Sequence, residues 1–273
     1  MSSSCTERST GPAQQRHRPG GIQRRGDYDA RTWDSARFIV PLLRDAIDKA
    51  VVEYAGGTSP GRKCLDIGCG RQPFRPKIVE LGYEYRGMDA EQNSEGNVDF
   101  IACIDRPLPP EVLAWLPADL ALLTEVLEHV ADWDSAFANL SLVLKPGGRA
   151  LVTCPFIYPL HEEPFDFWRP TKHALRFFAA RYGLRIVAEE QLGDFWDAVG
   201  TLVGSIDVGS FGALRCQPRA NILALWRKSI RRVLLAAISS PFLRSAAPCN
   251  AAVYLSNVVV IERAPGPSTR EWG

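Results

Sequence analysis

Between Lys63 and Cys154, short apolar runs alternate with stretches of helical periodicity, and this alternation restricts the chain to an α/β architecture. Lys63 to Ile67, Tyr85 to Met88, Asp99 to Ile104, Leu120 to Leu123 and Arg149 to Cys154 each read as a strand, the last introduced by a Lys145-Pro146-Gly147-Gly148 turn. Apolar positions at helical spacing predict helices over Trp33 to Tyr54, Phe74 to Leu81, Asp134 to Leu144 and Thr171 to Tyr182. Strands joined by helices run mainly parallel, with both faces of the sheet covered. Leu184 to Glu189 predicts a sixth strand. Val253 to Ile261 predicts a seventh, which returns to the sheet after an insertion of roughly 60 residues, too long to lack helices of its own. The expected fold is a doubly wound, Rossmann-like, mainly parallel seven-stranded sheet with helices on both faces and a helical insertion over about 195–250.

A chain of 273 residues, 46% apolar and 23% charged, can bury the core such a sheet needs. Residues 1–26, rich in Ser, Gln, Arg, Pro and Gly, read as a disordered tail; one domain spans 27–265, and 266–273 form a second tail. A net charge of +1 gives no overall field toward nucleic acid, and no basic stripe runs through the fold region, so no nucleic-acid partner is expected. Seven scattered cysteines, no secretory leader and no apolar run near the roughly 20 residues of a spanning helix predict a cytoplasmic protein. Nothing in the sequence specifies an oligomeric state.

Cys64-Leu65-Asp66-Ile67-Gly68-Cys69-Gly70 places small residues where a strand must turn into a helix. Glycines there let a nucleotide-like ligand lie close to the backbone, over the strand's carboxyl end and near the helix N-terminus. A dinucleotide fingerprint would need glycine at position 73, which is Pro73, so an NAD-type pyrophosphate turn fits poorly. Further acids fall at the ends of the next strands, at Asp89, Asp105 and Glu125.

In the order and spacing of these pieces, the stretch from Lys63 to Pro155 resembles the class I S-adenosylmethionine-dependent methyltransferases, most closely their bacterial small-molecule, type 11-like subgroup. The resemblance implies S-adenosylmethionine as cofactor. It implies that Asp66 positions the methionyl end, that Gly68, Cys69 and Gly70 form the loop, and that Asp89 with Ala90 holds the ribose hydroxyls. Ile104 and Asp105 would meet the adenine, and Thr124 and Glu125, opening the segment Glu125-Val126-Leu127-Glu128-His129-Val130, would lie beside the cofactor.

The segment Pro155 to Pro170 follows the fifth strand and should overhang the same sheet edge, mixing aromatic walls with titratable groups. His161 is the first candidate to take a proton from an acceptor hydroxyl or amine, since an imidazole titrates near working pH; Asp166 is the second. A structural hydrogen bond is the other reading of His161. His129, Tyr158, Trp168 and Arg169 are candidates for substrate contact, although Trp168 also fits a packed lid and Arg169 a pairing with Glu162 or Asp166. His161, Glu162, His173 and the cysteines show no tight ligand spacing, so no metal is expected.

Within 221–243, Leu223, Trp226, Ile230, Val233, Leu234 and Ala237 share one helical face, with Lys228, Arg231 and Arg232 away from its centre. Such a helix packs its apolar face on its own domain, or rests weakly on an anionic membrane surface. The functional expectation is methyl transfer to oxygen or nitrogen of a small-molecule acceptor, such as a sugar-containing or secondary metabolite. Carbon methylation of a lipid-like or quinone-like acceptor under a roof containing Trp226 is the first alternative, and a non-catalytic binding module the second.

Overall fold

The computed structural model describes residues 35–54, 61–206, 218–249 and 252–265. One sheet contains β1 (Arg62–Ile67), β2 (Tyr83–Asp89), β3 (Phe100–Ile101), β4 (Ala118–Thr124), β5 (Leu144–Pro155), β6 (Leu184–Leu192) and β7 (Ser256–Arg263). Their order is β3-β2-β1-β4-β5-β7-β6. β1 pairs in parallel with both β2 and β4, and β7 enters antiparallel between β5 and β6. The chain winds outward from β1 in one direction through β2 and returns to β4 on the other side. That reversal opens a crevice at the carboxyl ends of β1 and β4, where open α/β sheets bind ligands.

The helices are α1 (Val40–Tyr54), α2 (Arg75–Glu80), α3 (Pro110–Trp115), α4 (Trp133–Val143), α5 (Lys172–Arg181), α6 (Phe195–Gly204), α7 (Pro218–Ile238) and α8 (Pro241–Ala246). Strand periodicity of two sorts the core into two layers. Leu65, Ile67, Ala121 and Leu123 face one side and pack on Phe137 and Leu140 of α4 and Leu175 of α5. Cys64, Leu120, Leu122 and Leu151 face the other, against Leu43 and Ile47 of α1 and Ile78 of α2. Side-chain caps start α4, α5 and α6: Asp132 accepts from Ser135 N, Thr171 from Ala174 N, and Asp194 with Asp197 forms a reciprocal capping box on α6.

Several expectations are corrected. The third strand is Phe100–Ile101, not Asp99 to Ile104, because only Met88 and Asp89 of β2 pair with it. The Lys145–Gly148 turn lies inside β5, where the ladder with β4 slips register between Ala118 and Leu120 and Gly147 takes φ +76°. The leading helix starts at Val40, after a 3-10 turn at Ser35–Arg37. Trp33 and the tails 1–26 and 266–273 lie outside the described residues. α3, flanked by Pro109 and Pro117, gives too short an apolar period to read from sequence.

The insertion is helical as expected, but α7 is turned. Among the residues whose burial is described, Leu235 and Ile238 are buried, while Trp226 is 67% and Val233 68% exposed, with Ile230 and Leu234 also exposed. Trp226, Ile230, Val233 and Leu234 of the face that looked built for the core therefore point to solvent. Arg231 holds the opposite arrangement in place by donating to the carbonyls of Gly204 and Ile206 at 3.2 and 3.1 Å, which satisfies the C-terminal end of α6. Among the described residues no helix is long and apolar enough to cross a membrane.

Candidate active site

The glycine loop leaves β1 in left-handed backbone, with φ +69° at Gly68 and +52° at Gly70. Gly68 N–H donates to Met88 O at 2.7 Å, tying the loop to the end of β2. A Cβ at Gly68 would lie 2.5 Å from a methyl of Val126, so the loop and the segment after β4 touch directly. Both the backbone sign and the contact select glycine. Gly68→Ala is expected to cost about 2–4 kcal/mol in urea unfolding, from left-handed strain plus overpacking; a loss below about 0.5 kcal/mol would show that the loop does not hold this geometry.

Asp66 is 1% exposed and accepts the Tyr85 hydroxyl hydrogen at 2.6 Å. Burial pushes its carboxyl up to about 7, the Tyr85 hydrogen bond pulls it down, and the neighbouring charge of Asp89 adds to the rise. Asp89, at the tip of β2, accepts Gly70 N–H on Oδ2 at 2.9 Å and Ala90 N–H on Oδ1 at 2.7 Å. Cys69 is buried beneath the loop, and burial raises its thiol well above the ordinary range, which keeps it protonated. After β3, Asn139 of α4 donates to the carbonyls of Ile104 and Arg106 at 2.7 and 2.8 Å, fixing the turn that carries buried Ile104 and half-buried Asp105.

β4 ends at Thr124, and Glu125 follows with φ +55°, a strained conformation for a residue with a side chain. Its N–H donates to Thr153 Oγ1 at 3.0 Å and its carboxylate accepts from Ser256 at 3.2 Å. Burial pushes that carboxyl up to about 7, against the Thr153 and Ser256 hydrogen bonds and the Arg169 charge.

The segment after β5 folds back as a strap over this edge. Phe167 N–H and Trp168 N–H both donate to Glu128 O, and the Trp168 indole donates to Val130 O at 2.8 Å. Trp168 also meets the Trp133 ring at 5.8 Å, so much of it packs the strap, while 45% stays exposed. Arg169 is the strap's knot. It grips both oxygens of Asp166 at 2.6 Å and donates to the carbonyls of Tyr158, Pro159 and Trp168. Burial of Asp166 favours its neutral form, but the Arg169 and His161 N–H hydrogen bonds outweigh this and hold it below the usual carboxylate range. Of the two acids expected to pair with Arg169, Asp166 is the one it grips.

His161 and His129 meet edge to face, ring centroids 4.8 Å apart, with Tyr158 5.3 Å from His161. His161 Nδ1 lies 3.2 Å from Asp166 Oδ2, and His129 Nδ1 lies 3.0 Å from Phe165 O. Glu128, fully buried, sends Oε1 to within 3.7 Å of His129 Nε2. Potential ligand atoms of Glu128, His129 and His161 lie within 4.8 Å of one another, a grouping that spacing along the sequence did not show. The spacing from 129 to 161 hid it, since only the strap's fold-back joins them. Glu128 and Tyr85 were the residues missed. The Glu125-x-x-Glu128-His129 spacing was the available signal for the first, and period-two alternation with Tyr83 on β2 for the second.

Strand order, antiparallel last strand, glycine loop and acids at successive strand tips define the class: a Rossmann-like α/β protein of methyltransferase architecture. The chain belongs to the methyltransferase-domain family, whose family model matches residues 37–192. It is 30% identical over 170 residues to a ubiquinone biosynthesis O-methyltransferase of Bordetella avium, covering 58% of this chain and 65% of the relative. To the protein of that name from Acinetobacter baylyi it is 32% identical over 141 residues, covering 44% and 55%. The chain thus spans less than two thirds of the length of either relative. The O-methyltransferase of a trans-AT PKS multienzyme of Brevibacillus brevis, solved with S-adenosyl-L-homocysteine, superposes with TM-score 0.51 at 15% identity, over 84% of this chain and 75% of that one.

Proposed function

We propose that the chain is an S-adenosylmethionine-dependent methyltransferase acting on a hydroxyl, or alternatively an amine, of a small-molecule acceptor. The carrying observation is the Asp89 carboxylate at the tip of β2, oriented by two main-chain N–H groups beside the left-handed glycine loop. The donor set fits the cofactor: a carboxylate at that position suits a ribose diol, and buried Asp66 suits a cationic methionyl end. Gly68 and Gly70 keep side chains off the loop, Ile104 offers an apolar wall, and Asp105 a polar partner for adenine. When bound, S-adenosylmethionine supplies a methyl carbon activated by its sulfonium.

The remaining task is to align the acceptor atom with that carbon and release its proton. His161 takes that proton, with Asp166 orienting its ring; the Arg169 grip makes Asp166 a positioning residue and not a second base. Tyr158 and the exposed part of Trp168 border the acceptor. The relatives' O-methyltransferase names and the polar Glu128–His161 cluster support a hydroxyl, whether on a quinone precursor, a sugar-containing compound or another secondary metabolite. Carbon methylation beneath Trp226 is disfavoured because that indole is 67% exposed.

Isothermal calorimetry should give one-site binding of S-adenosylmethionine and of S-adenosylhomocysteine, and absence of both heats from folded protein would refute the reading. His161→Ala should keep that affinity and slow turnover of a hydroxyl acceptor about 10²-fold or more.

A lipid surface is the proposed contact for the outward face of α7. The helix carries Arg219, Arg227, Lys228, Arg231 and Arg232 and no acid, beside exposed Trp226, Val233 and Phe242. Weak co-sedimentation with phosphatidylserine vesicles is expected, abolished by changing Arg227, Lys228 and Arg232 together to Glu. Arg231 is left intact because it caps α6. No sedimentation of the wild type would end this idea.

A further inference from the structure

Parallel strands are joined by a crossover of about a dozen residues or more, usually a helix. Residues 90–99, between β2 and β3, are ten in number and contain no helix. Side-chain hydrogen bonds stand in for helix packing. Gln92 Oε1 accepts the N–H groups of Asn93 and Val98 at 3.1 and 2.8 Å, and its Nε2 donates to Val98 O at 3.1 Å. Asn93 Oδ1 accepts the N–H groups of Glu95 and Asn97 at 3.1 and 3.2 Å, closing a turn of the kind that asparagine favours.

The crossover is also fastened to the glycine loop. Asn93 Nδ2 donates to Gly70 O at 2.8 Å and to Asn97 Oδ1 at 2.5 Å. Because only Oδ1 can accept the two N–H groups of the turn, Nδ2 is the end that faces Gly70. Gln72, buried and with φ +59°, donates from Nε2 to Asn97 O at 2.7 Å. That nitrogen packs so closely on β2 that a Cβ at Gly87 would lie 2.7 Å from it. A third link, Arg71 to Glu95 at 3.4 Å, is exposed on both sides and holds little. Gly70 is therefore gripped at both ends, its N–H by Asp89 Oδ2 at 2.9 Å and its carbonyl by Asn93. A glycine turns easily about both backbone bonds, so these two hydrogen bonds set where its N–H points.

We infer that Asn93 is a positioning residue for ribose recognition: it fixes Gly70, Gly70 N–H fixes the Asp89 carboxylate, and that carboxylate meets the ribose hydroxyls in a preset plane. Asp89 Oδ1 is held by Ala90 N–H, its own neighbour in the chain, so Oδ2 is the oxygen whose orientation depends on the crossover. Setting the carboxylate before the ligand arrives spares part of the ordering cost of binding. The inference rests on the methyltransferase reading for the identity of the ligand; the grip of Asn93 on Gly70 does not.

The test is calorimetry of the full-length protein with S-adenosylhomocysteine and with its 2′-deoxy analogue. Wild type should prefer the ribose form by about tenfold or more, as the loss of a hydrogen bond to a charged oxygen predicts. Asn93→Asp keeps Oδ1 for the Glu95 and Asn97 N–H groups, which preserves the turn, but loses the donor to Gly70 O. Asn93→Ala loses both. Each variant should bind S-adenosylhomocysteine about tenfold more weakly and the analogue less than about threefold more weakly, so that the preference collapses. An undiminished preference in Asn93→Asp overturns the inference, because asparagine then serves only the turn; a wild type without preference overturns it too. Should neither variant fold, hydrogen exchange of the ligand-free wild type decides: slow exchange at the Gly70 and Ala90 N–H groups supports the preset carboxylate, and fast exchange overturns it. Wild type that binds neither compound refutes the methyltransferase reading and this inference with it. Wild type and Asn93→Asp that discriminate equally refute the inference alone.

Discussion

Replacing Arg169 by leucine is expected to destabilise the protein by about 3–5 kcal/mol, because the change strands a buried carboxylate. Asp166 has a side chain only 1% exposed, and Arg169 grips both its oxygens at 2.6 Å. Without the guanidinium, the carbonyls of Tyr158, Pro159 and Trp168 also lose a donor. Lysine at 169 should recover only part of the loss, since a single ammonium cannot reproduce the planar fork. The pH dependence has a definite sign. Asp166 is held below its unfolded value of 3.8, so its contribution is complete above that value and lost as pH falls through the lower, folded one. The gap between wild type and Arg169→Leu should therefore be constant from pH 5 to 8 and shrink below about pH 4. Urea midpoints measured across that range check both parts, and a loss under about 1 kcal/mol at pH 7 would remove Arg169 from its place as the strap's anchor.

Asp66→Asn should behave in the opposite sense, gaining stability as pH rises. Burial raises the folded carboxyl from 3.8 to about 7, so the wild type pays to ionise it. A group raised in this way contributes fully below its unfolded value and loses that contribution as pH climbs to the folded one. The full difference between 3.8 and about 7 corresponds to about 4 kcal/mol. Relative to wild type, the Asn variant should therefore gain about 2–3 kcal/mol between pH 5 and pH 8, whatever its amide N–H groups cost by lacking acceptors. Cofactor binding should move against this gain. In the proposed site, ionised Asp66 faces a cation, so wild-type affinity for S-adenosylmethionine should rise from pH 6 to 7.5, by up to about tenfold per pH unit. The Asn variant should be weaker and flat over the same interval. Parallel chemical denaturation and calorimetry separate the two effects, and a wild-type affinity independent of pH would mean Asp66 does not meet the charge. Stability surrendered at this position for binding is the trade-off expected of a functional carboxylate.

Much of the proposed cofactor side was legible because it is local. Asp66, Gly68 and Gly70 occupy five consecutive positions, in which strand, turn and helix follow from short-range sterics. Asp89 was found because β2 starts from a predictable place and ends one loop away. The acceptor side was less legible. His161 and Asp166 stood out by chemistry, but their roles diverged once Arg169 took both oxygens of Asp166. Glu128 reads in sequence as an ordinary acid between Leu127 and His129, yet its side chain is fully buried beside Cys154 of β5, and the strap's Phe167 and Trp168 amides close on its carbonyl.

Apolar periodicity and the glycine turn alone established the alternating α/β class, the seven strands and the position of the glycine loop, since each depends on interactions within a few residues. Tertiary structure alone decided that β7 slots between β5 and β6, that α7 shows its apolar stripe to solvent, and that Glu128, His129 and His161 converge. These outcomes depend on which distant surfaces compete for the same contact. Leu235, Ile238 and the Arg231 cap won the inner face of α7 against Trp226 and Val233, a contest that hydrophobicity along one helix cannot settle.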